Sequence, residues 1–161
     1  MTNFPVINTS PLIFLTKGGY LKLLKVLNEV IIVPKAVADE IMAYGEEDIT
    51  YQQLKQNSWL QITPIENIPS IIQNWDLGQG ESEVLAYSYL NQRPECIIDD
   101  LAGRRCAIAL KIPVRGTLGI VLLAKQKGEI SKAKPIIQEL RKTGMYLSDA
   151  VISKALSLVG E

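Results

Sequence analysis

The stretch Cys96-Ile97-Ile98-Asp99-Asp100-Leu101-Ala102-Gly103-Arg104-Arg105 joins a short apolar run to two adjacent aspartates and then to a helical pattern. An apolar run bounded in this way reads as a buried strand, and a buried strand that feeds a helix is a unit of a parallel α/β sheet. Carboxylates delivered to the mouth of such a sheet are the usual way this architecture builds a site for a hard cation.

The same alternation continues on both sides. Val6-Ile7 is a brief strand, ended by Asn8-Thr9-Ser10-Pro11, where Ser10 is a natural N-cap and Pro11 a natural first helical residue. Leu21, Leu24 and Leu27, with Leu23 and Val26, predict an amphipathic helix, and Val30-Ile31-Ile32-Val33 a β-branched strand stopped by Pro34. Lys35 to Tyr44 is helical, with Val37, Ile41 and Tyr44 inward and Glu40 at the core edge. Gly45 to Asn57 is polar and weakly periodic, Trp59 to Ile65 alternates as a strand, and Pro69 leads a short helix. Gly78-Gln79-Gly80 breaks the chain before Glu81-Ser82-Glu83, which open a helix through Leu90. Leu101 to Leu110 is the next helix, Pro113-Val114-Arg115 a short strand, and Gly116-Thr117 opens a helix over 118–127. Lys132 to Thr143 and Ser148 to Leu158 read as two final helices joined through Gly144, with Ser148 as N-cap. The expected fold is a three-layer α/β/α sandwich with a central parallel sheet, a single domain over residues 1–161 with two C-terminal helices from about 132.

Composition narrows the chemistry. The 17 Lys and Arg balance 17 Asp and Glu, so no bulk field draws nucleic acid or membrane, and a polyanion has to be held by a local patch. There is no histidine, which removes the commonest general base, the usual zinc ligand and every Ser/His or Cys/His dyad. A hydrolase built from this chain has to work with carboxylates and metal-activated water. Cys96 and Cys106 match no zinc or redox spacing and read as buried thiols of a reducing cytosol. Met1-Thr2-Asn3-Phe4-Pro5 lacks the basic and apolar regions of a leader, and the apolar run around Ile120 to Ala124 is too short to span a bilayer, so a cytoplasmic location and no membrane partner are expected.

In an open parallel sheet, the C-terminal strand ends and the first helical turns that follow gather along one edge. Asn8, Asp99, Asp100 and Thr117 occupy such positions, and Glu40 and Glu81 lie on helices able to lean over the same edge. Packed carboxylates repel unless a cation offsets them, so the cluster predicts Mg²⁺ or Mn²⁺. Each member also has an ordinary structural explanation. Glu81 and Glu83 suit the positive end of a helix, Asp100 suits the N-cap of the Leu101 helix, Thr117 and Ser10 suit caps, and Glu40 suits a solvated helix face. Asp99 is then left at the end of a buried strand with no structural role, which favours a functional site. Arg104 and Arg105 fall one turn beyond the acids, within reach of a phosphate, and Arg115 follows; the alternative is a solvated helix face. Lys125, Lys127, Lys132 and Lys134 look like ordinary surface.

The ordered set Val6-Ile7-Asn8-Thr9-Ser10-Pro11-Leu12, Val33-Pro34 leading to Val37 and Glu40, Gly80-Glu81-Ser82-Glu83, Ile98-Asp99-Asp100 and Gly116-Thr117-Leu118-Gly119 resembles the PIN-domain family, in particular a prokaryotic group related to VapC-type toxins. The resemblance runs from about Val6 to about Gly128, and the C-terminal helices fit the same group. It implies a Mg²⁺- or Mn²⁺-dependent endoribonuclease acting on single-stranded RNA, with an antitoxin protein and a homodimer as expected partners. By that resemblance the metal and catalytic residues are Asn8, Glu40, Glu81, Asp99 and Asp100, and Thr9 or Ser10 and Thr117 supply supporting hydroxyls. Arg104, Arg105 and Arg115 are then the expected RNA contacts. The family normally carries aspartate where this chain has Asn8, whose amide brings no negative charge. A rival expectation is therefore a weak or inactive module that binds a protein or RNA; a phosphatase or phospho-receiver fits less well, since those folds place their key aspartate on the first strand.

Overall fold

The computed structural model describes residues 4–161; Met1 to Asn3, part of the segment read as carrying no leader, lie outside the described residues. The strands β1 (Val6–Ile7), β2 (Ile31–Pro34), β3 (Leu60–Thr63), β4 (Cys96–Ile97) and β5 (Val114–Arg115) form one sheet in the order β3-β2-β1-β4-β5. Every pairing is parallel, with Val6 opposite both Ile32 and Cys96. The expected α/β/α sandwich is therefore the fold. Val6, Ile7, Ile31, Ile32, Val33, Cys96 and Ile97 are all buried, because helices cover both faces of the inner strands. The apolar runs are continuous rather than alternating for the same reason.

The chain moves outward from β1 to β2 and β3, then returns to the other side of β1 to lay down β4 and β5. The direction reverses between β1 and β4, so the crevice that such a reversal opens lies at their C-terminal ends. Asn8 leaves β1 there and Asp99-Asp100 leave β4 there, with the Asn8 N–H donating to the Ile97 carbonyl at 3.0 Å.

Helix α1 (Thr9–Gly18) starts directly after Asn8, earlier than Ser10 as N-cap requires; Ser10 is an exposed residue inside the first turn. The Leu21–Val26 segment is a 3₁₀ helix rather than an α-helix. Its buried residues Leu21 and Leu24 are three apart, the spacing that a three-residue turn keeps in line. Helix α2 (Lys35–Met42) buries Val37 and Ile41 as expected, whereas Tyr44 lies beyond its end and is exposed. The polar stretch before β3 contains a helix that periodicity does not reveal, α3 (Ile49–Gln56), whose N-terminus is capped by Asp48 accepting from Thr50 and Tyr51. A single turn, α4 (Ser70–Gln73), precedes α5 (Gln79–Leu90). Helix α5 packs against β1, β2 and β4 and against α2, α4 and α6 (Leu101–Ala109), and buries residues around its circumference. On the other side α1 packs with α7 (Thr117–Gln126) and α8 (Lys134–Lys142), and α7 also rests on the 3₁₀ helix. The last helix, α9 (Asp149–Leu158), begins at the N-cap Ser148, whose hydroxyl accepts from the Val151 N–H.

Of the apolar residues on and just after the last helix, Leu156 is buried and Ile152 and Val159 pack against the core, while Val151 is exposed. No helix among the described residues is long and apolar enough to cross a membrane.

Candidate active site at the switch between β1 and β4

Asn8 occupies the N-cap position of α1, yet its side chain makes no capping hydrogen bond. It is buried, and its Oδ1 is turned toward α5 instead. A Cβ placed on Gly80 would stand 3.3 Å from Asn8 Oδ1 and 2.7 Å from Glu40 Oε1, so both oxygens converge on the first turn of α5. Glu40 is held there by the Thr9 hydroxyl, which donates to its Oε2 at 2.8 Å. Gly80, expected to break the chain, is a helical residue whose missing side chain leaves room for these oxygens. Gly103 does the same on α6, where a Cβ would meet Glu81 Oε2 at 2.8 Å and Ile98 Cγ2 at 3.0 Å. The sequence signal for both is a glycine standing inside or against a helical pattern, where it costs stability unless a close approach needs it.

The two glutamates that open α5 do different work. Glu83 is buried and accepts the Ala36 N–H at 3.0 Å and the Gln79 amide at 3.0 Å, so it caps α2 from across the interface. Glu81 faces Asp100. Its carboxyl is pushed up to about 7, first by burial, then by the Asp100 charge, by a hydrogen bond with Asp100, and by the Glu40 charge. Glu81 Oε2 is also buried with no hydrogen-bond partner.

The aspartate pair divides in an unexpected way. Asp100 Oδ2 accepts from the Ala102 and Gly103 N–H groups and caps α6. Asp99, contrary to expectation, has a structural role, since Oδ1 accepts the Thr117 N–H at 2.7 Å and Oδ2 the Thr117 hydroxyl at 2.6 Å. Thr117 is fully buried and is itself the capped residue, with Asp99 supplying the cap of α7 from the neighbouring strand. These short bonds to an ionised acceptor are of the stronger kind and fix the end of β4 to α7. Asn8, Glu40, Glu81 and Asp100 thus approach one another, and Asp99 turns toward α7.

The basic residues are also sorted by the fold. Arg104 donates to the Ile98 carbonyl at 3.2 Å and lies near Asp99 across Gly116. Arg115 pairs with Glu95 at 2.8 Å. Arg105 is exposed. Lys125 and Lys127 donate to the carbonyls of Ser131 and Val26, as befits structural surface. Cys96 and Cys106 are free and buried; burial raises both thiols, Cys96 to about 12, which leaves neither as a nucleophile.

As the side chains stand, no three Asp, Glu or Cys groups among the described residues are close enough to enclose a cation. Mg²⁺ seldom uses such a cage and is commonly held by one or two carboxylates, with water and phosphate completing its shell. The donor set here is all hard oxygen, one carboxylate oxygen is buried without a donor, and glycines leave space beside the acids. The residues fit a divalent cation held by a small number of protein ligands.

A parallel sheet that gathers acids at its reversal point holds them where open α/β folds bind their ligands. A family model described as PIN domain matches residues 4–161, and the chain belongs to the PIN-domain family. No curated protein matches the chain.

Proposed function

We propose that this protein is a metal-dependent endoribonuclease that hydrolyses phosphodiester bonds of single-stranded RNA, the VapC-like toxin of a toxin–antitoxin pair. The Glu81 carboxyl supports this reading most: it is half-buried, has a buried oxygen without a donor, and faces the charges of Asp100 and Glu40. Such a grouping is unfavourable for the fold alone and is relieved by a cation. Glu81 and Asp100, with Glu40 and the Asn8 oxygen beside them, would hold Mg²⁺ or Mn²⁺, which when bound supplies an acidified water and positive charge for the phosphate. Thr9 fixes the Glu40 carboxylate, and Asp99 with Thr117 anchors the strand end that carries Asp100. Arg104 and Arg105 steer the RNA phosphates toward the acids, while Arg115 contributes less because Glu95 already holds it. A cytoplasmic location, an antitoxin and a second copy of the chain as partners belong to the same reading.

The test is cleavage of labelled single-stranded RNA in Mn²⁺ by the wild type, Glu81→Gln and Asp100→Asn. Asparagine caps a helix about as well as aspartate, so Asp100→Asn keeps α6 intact while removing the charge. Cleavage by the wild type and its loss in both folded variants is the expected result. A folded wild type that leaves RNA intact with either ion overturns the reading.

Asn8, which adds no negative charge, favours a second reading in which the acidic edge binds a cationic protein partner without chemistry. Mn²⁺ that leaves the wild-type melting temperature unchanged, together with tight binding of a basic peptide lost in Glu81→Gln, is the pattern for that case.

A further inference from the structure

A cleft of about 640 Å³ lies between β5 and α7 on one side and α9 with the turn before it on the other. Asp99, Arg104 and Gly116 line it, and Asp99 adjoins Asp100 of the acid site in the chain. Its walls are apolar, with Val151 and Leu158 from α9, and its charged lining is Arg104, Lys154 and Arg115, the last already paired with Glu95, against the single carboxylate of Asp99 among the described residues. Tyr146, in the turn between α8 and α9, also lines it and is 90% exposed. An aromatic side chain held in the open contributes little to packing, and among the described residues neither Tyr146 nor Lys154 has a hydrogen bond or ion pair within the chain.

We infer that this cleft is a nucleotide subsite, in which Tyr146 stacks on a base of single-stranded RNA flanking the phosphate at the acid edge and Lys154 contacts the next phosphate. The inference rests on the proposed ribonuclease reading for the direction in which the strand enters. Flat apolar rings joined by a polyanionic backbone match an apolar cleft with an open aromatic ring and a cationic rim. Stacking tolerates any base, so the subsite adds affinity and places the strand without reading its sequence. The cleft size suits a ligand on the scale of one or two nucleotides.

The experiment is fluorescence anisotropy of a short labelled single-stranded RNA in EDTA, which removes divalent ions and so separates binding from cleavage. Tyr146→Ala is expected to weaken binding on the order of tenfold, and Tyr146→Phe to restore it, since the ring does the stacking. Lys154→Gln is expected to flatten the dependence of log affinity on log salt by roughly 0.7, the contribution of one phosphate contact on a single strand. Tyr146 is so exposed that neither substitution there threatens the fold, and thermal melts of all variants check this. RNA affinity that is absent, or the same in Tyr146→Ala and Lys154→Gln as in the wild type, overturns the assignment. So does an acidic amphipathic peptide that binds the cleft while RNA does not, since the cleft is then a protein groove. The two readings fail separately. Mn²⁺-dependent cleavage with unaltered binding in the variants removes only the subsite; Tyr146-dependent binding without cleavage in any ion removes only the hydrolysis.

Discussion

Glu81 holds its proton to about 7 in the folded chain, against an ordinary value of 4.5, and burial is the largest cause, ahead of Asp100 and Glu40. The folded state therefore binds more protons than the unfolded state between these two values, and stability must fall as pH rises through that window. In EDTA, the wild-type melting temperature is expected to decline from about pH 4.5 to about pH 7 by more than that of Glu81→Gln. Above that range the variant is expected to melt higher than the wild type, because glutamine carries no charge to desolvate. A parallel decline in both proteins rules out Glu81 as the cause. A substitution that stabilises the fold while abolishing cleavage is the signature of a residue kept for function at the expense of stability. Asp99 belongs to the other kind: its two oxygens serve Thr117, and the tertiary structure gives it a cap to make.

At the scale of elements, the site depends on how α2, α5 and α6 are held against one another. Glu83 is the clearest tie, since a side chain on α5 caps the N-terminus of α2, where Pro34 offers no capping oxygen. Glu83→Ala leaves the Ala36 N–H unpaired in a part-buried interface and is expected to cost about 1 kcal/mol or more in urea denaturation. Glu83→Gln keeps an acceptor oxygen and is expected to cost less; equal losses in the two variants would show that charge rather than the cap matters. Gly80 and Gly103 lie on the facing helices and keep the contact close enough for Asn8, Glu40 and Glu81 to meet. Side chains at these positions would occupy the space of the carboxylates.

For the molecule as a whole, the C-terminal helices matter because α9 and the turn that joins it to α8 wall the cleft. Helix α8 is anchored by Ile136, Ile137 and Leu140, all buried, and Leu140 Cδ2 approaches the space above Gly18 of α1 to 3.1 Å. Leu140→Ala is expected to destabilise the protein by about 2–5 kcal/mol, the range for emptying a fully buried leucine site. The loss is expected in one transition seen alike by far-UV circular dichroism and tryptophan fluorescence, because one hydrophobic cluster joins α8 and α9 to the sheet. An early separate transition with the main one unmoved would mean that the hairpin folds independently of the sheet.

What the sequence determined by itself was local: apolar runs of two to four residues feeding helices, hence a parallel sheet, and acids, an amide and a threonine at strand ends and first helical turns. These were legible because backbone periodicity and capping act within a few residues. Helix α3 escaped the periodic reading because its stretch is mostly polar and buries only Thr50 and Leu54 after the Asp48 cap. The 3₁₀ helix was hidden because a three-residue leucine spacing also suits an α-helix. Only the tertiary structure decided that Glu81 faces Asp100 while Glu83 caps α2, and that Asp99 serves Thr117. Glutamates two positions apart on a helix point in different directions, and their neighbours come from segments tens of residues away. The partner of a buried charge is set by which helices the sheet brings together, and that depends on the packing of the entire chain.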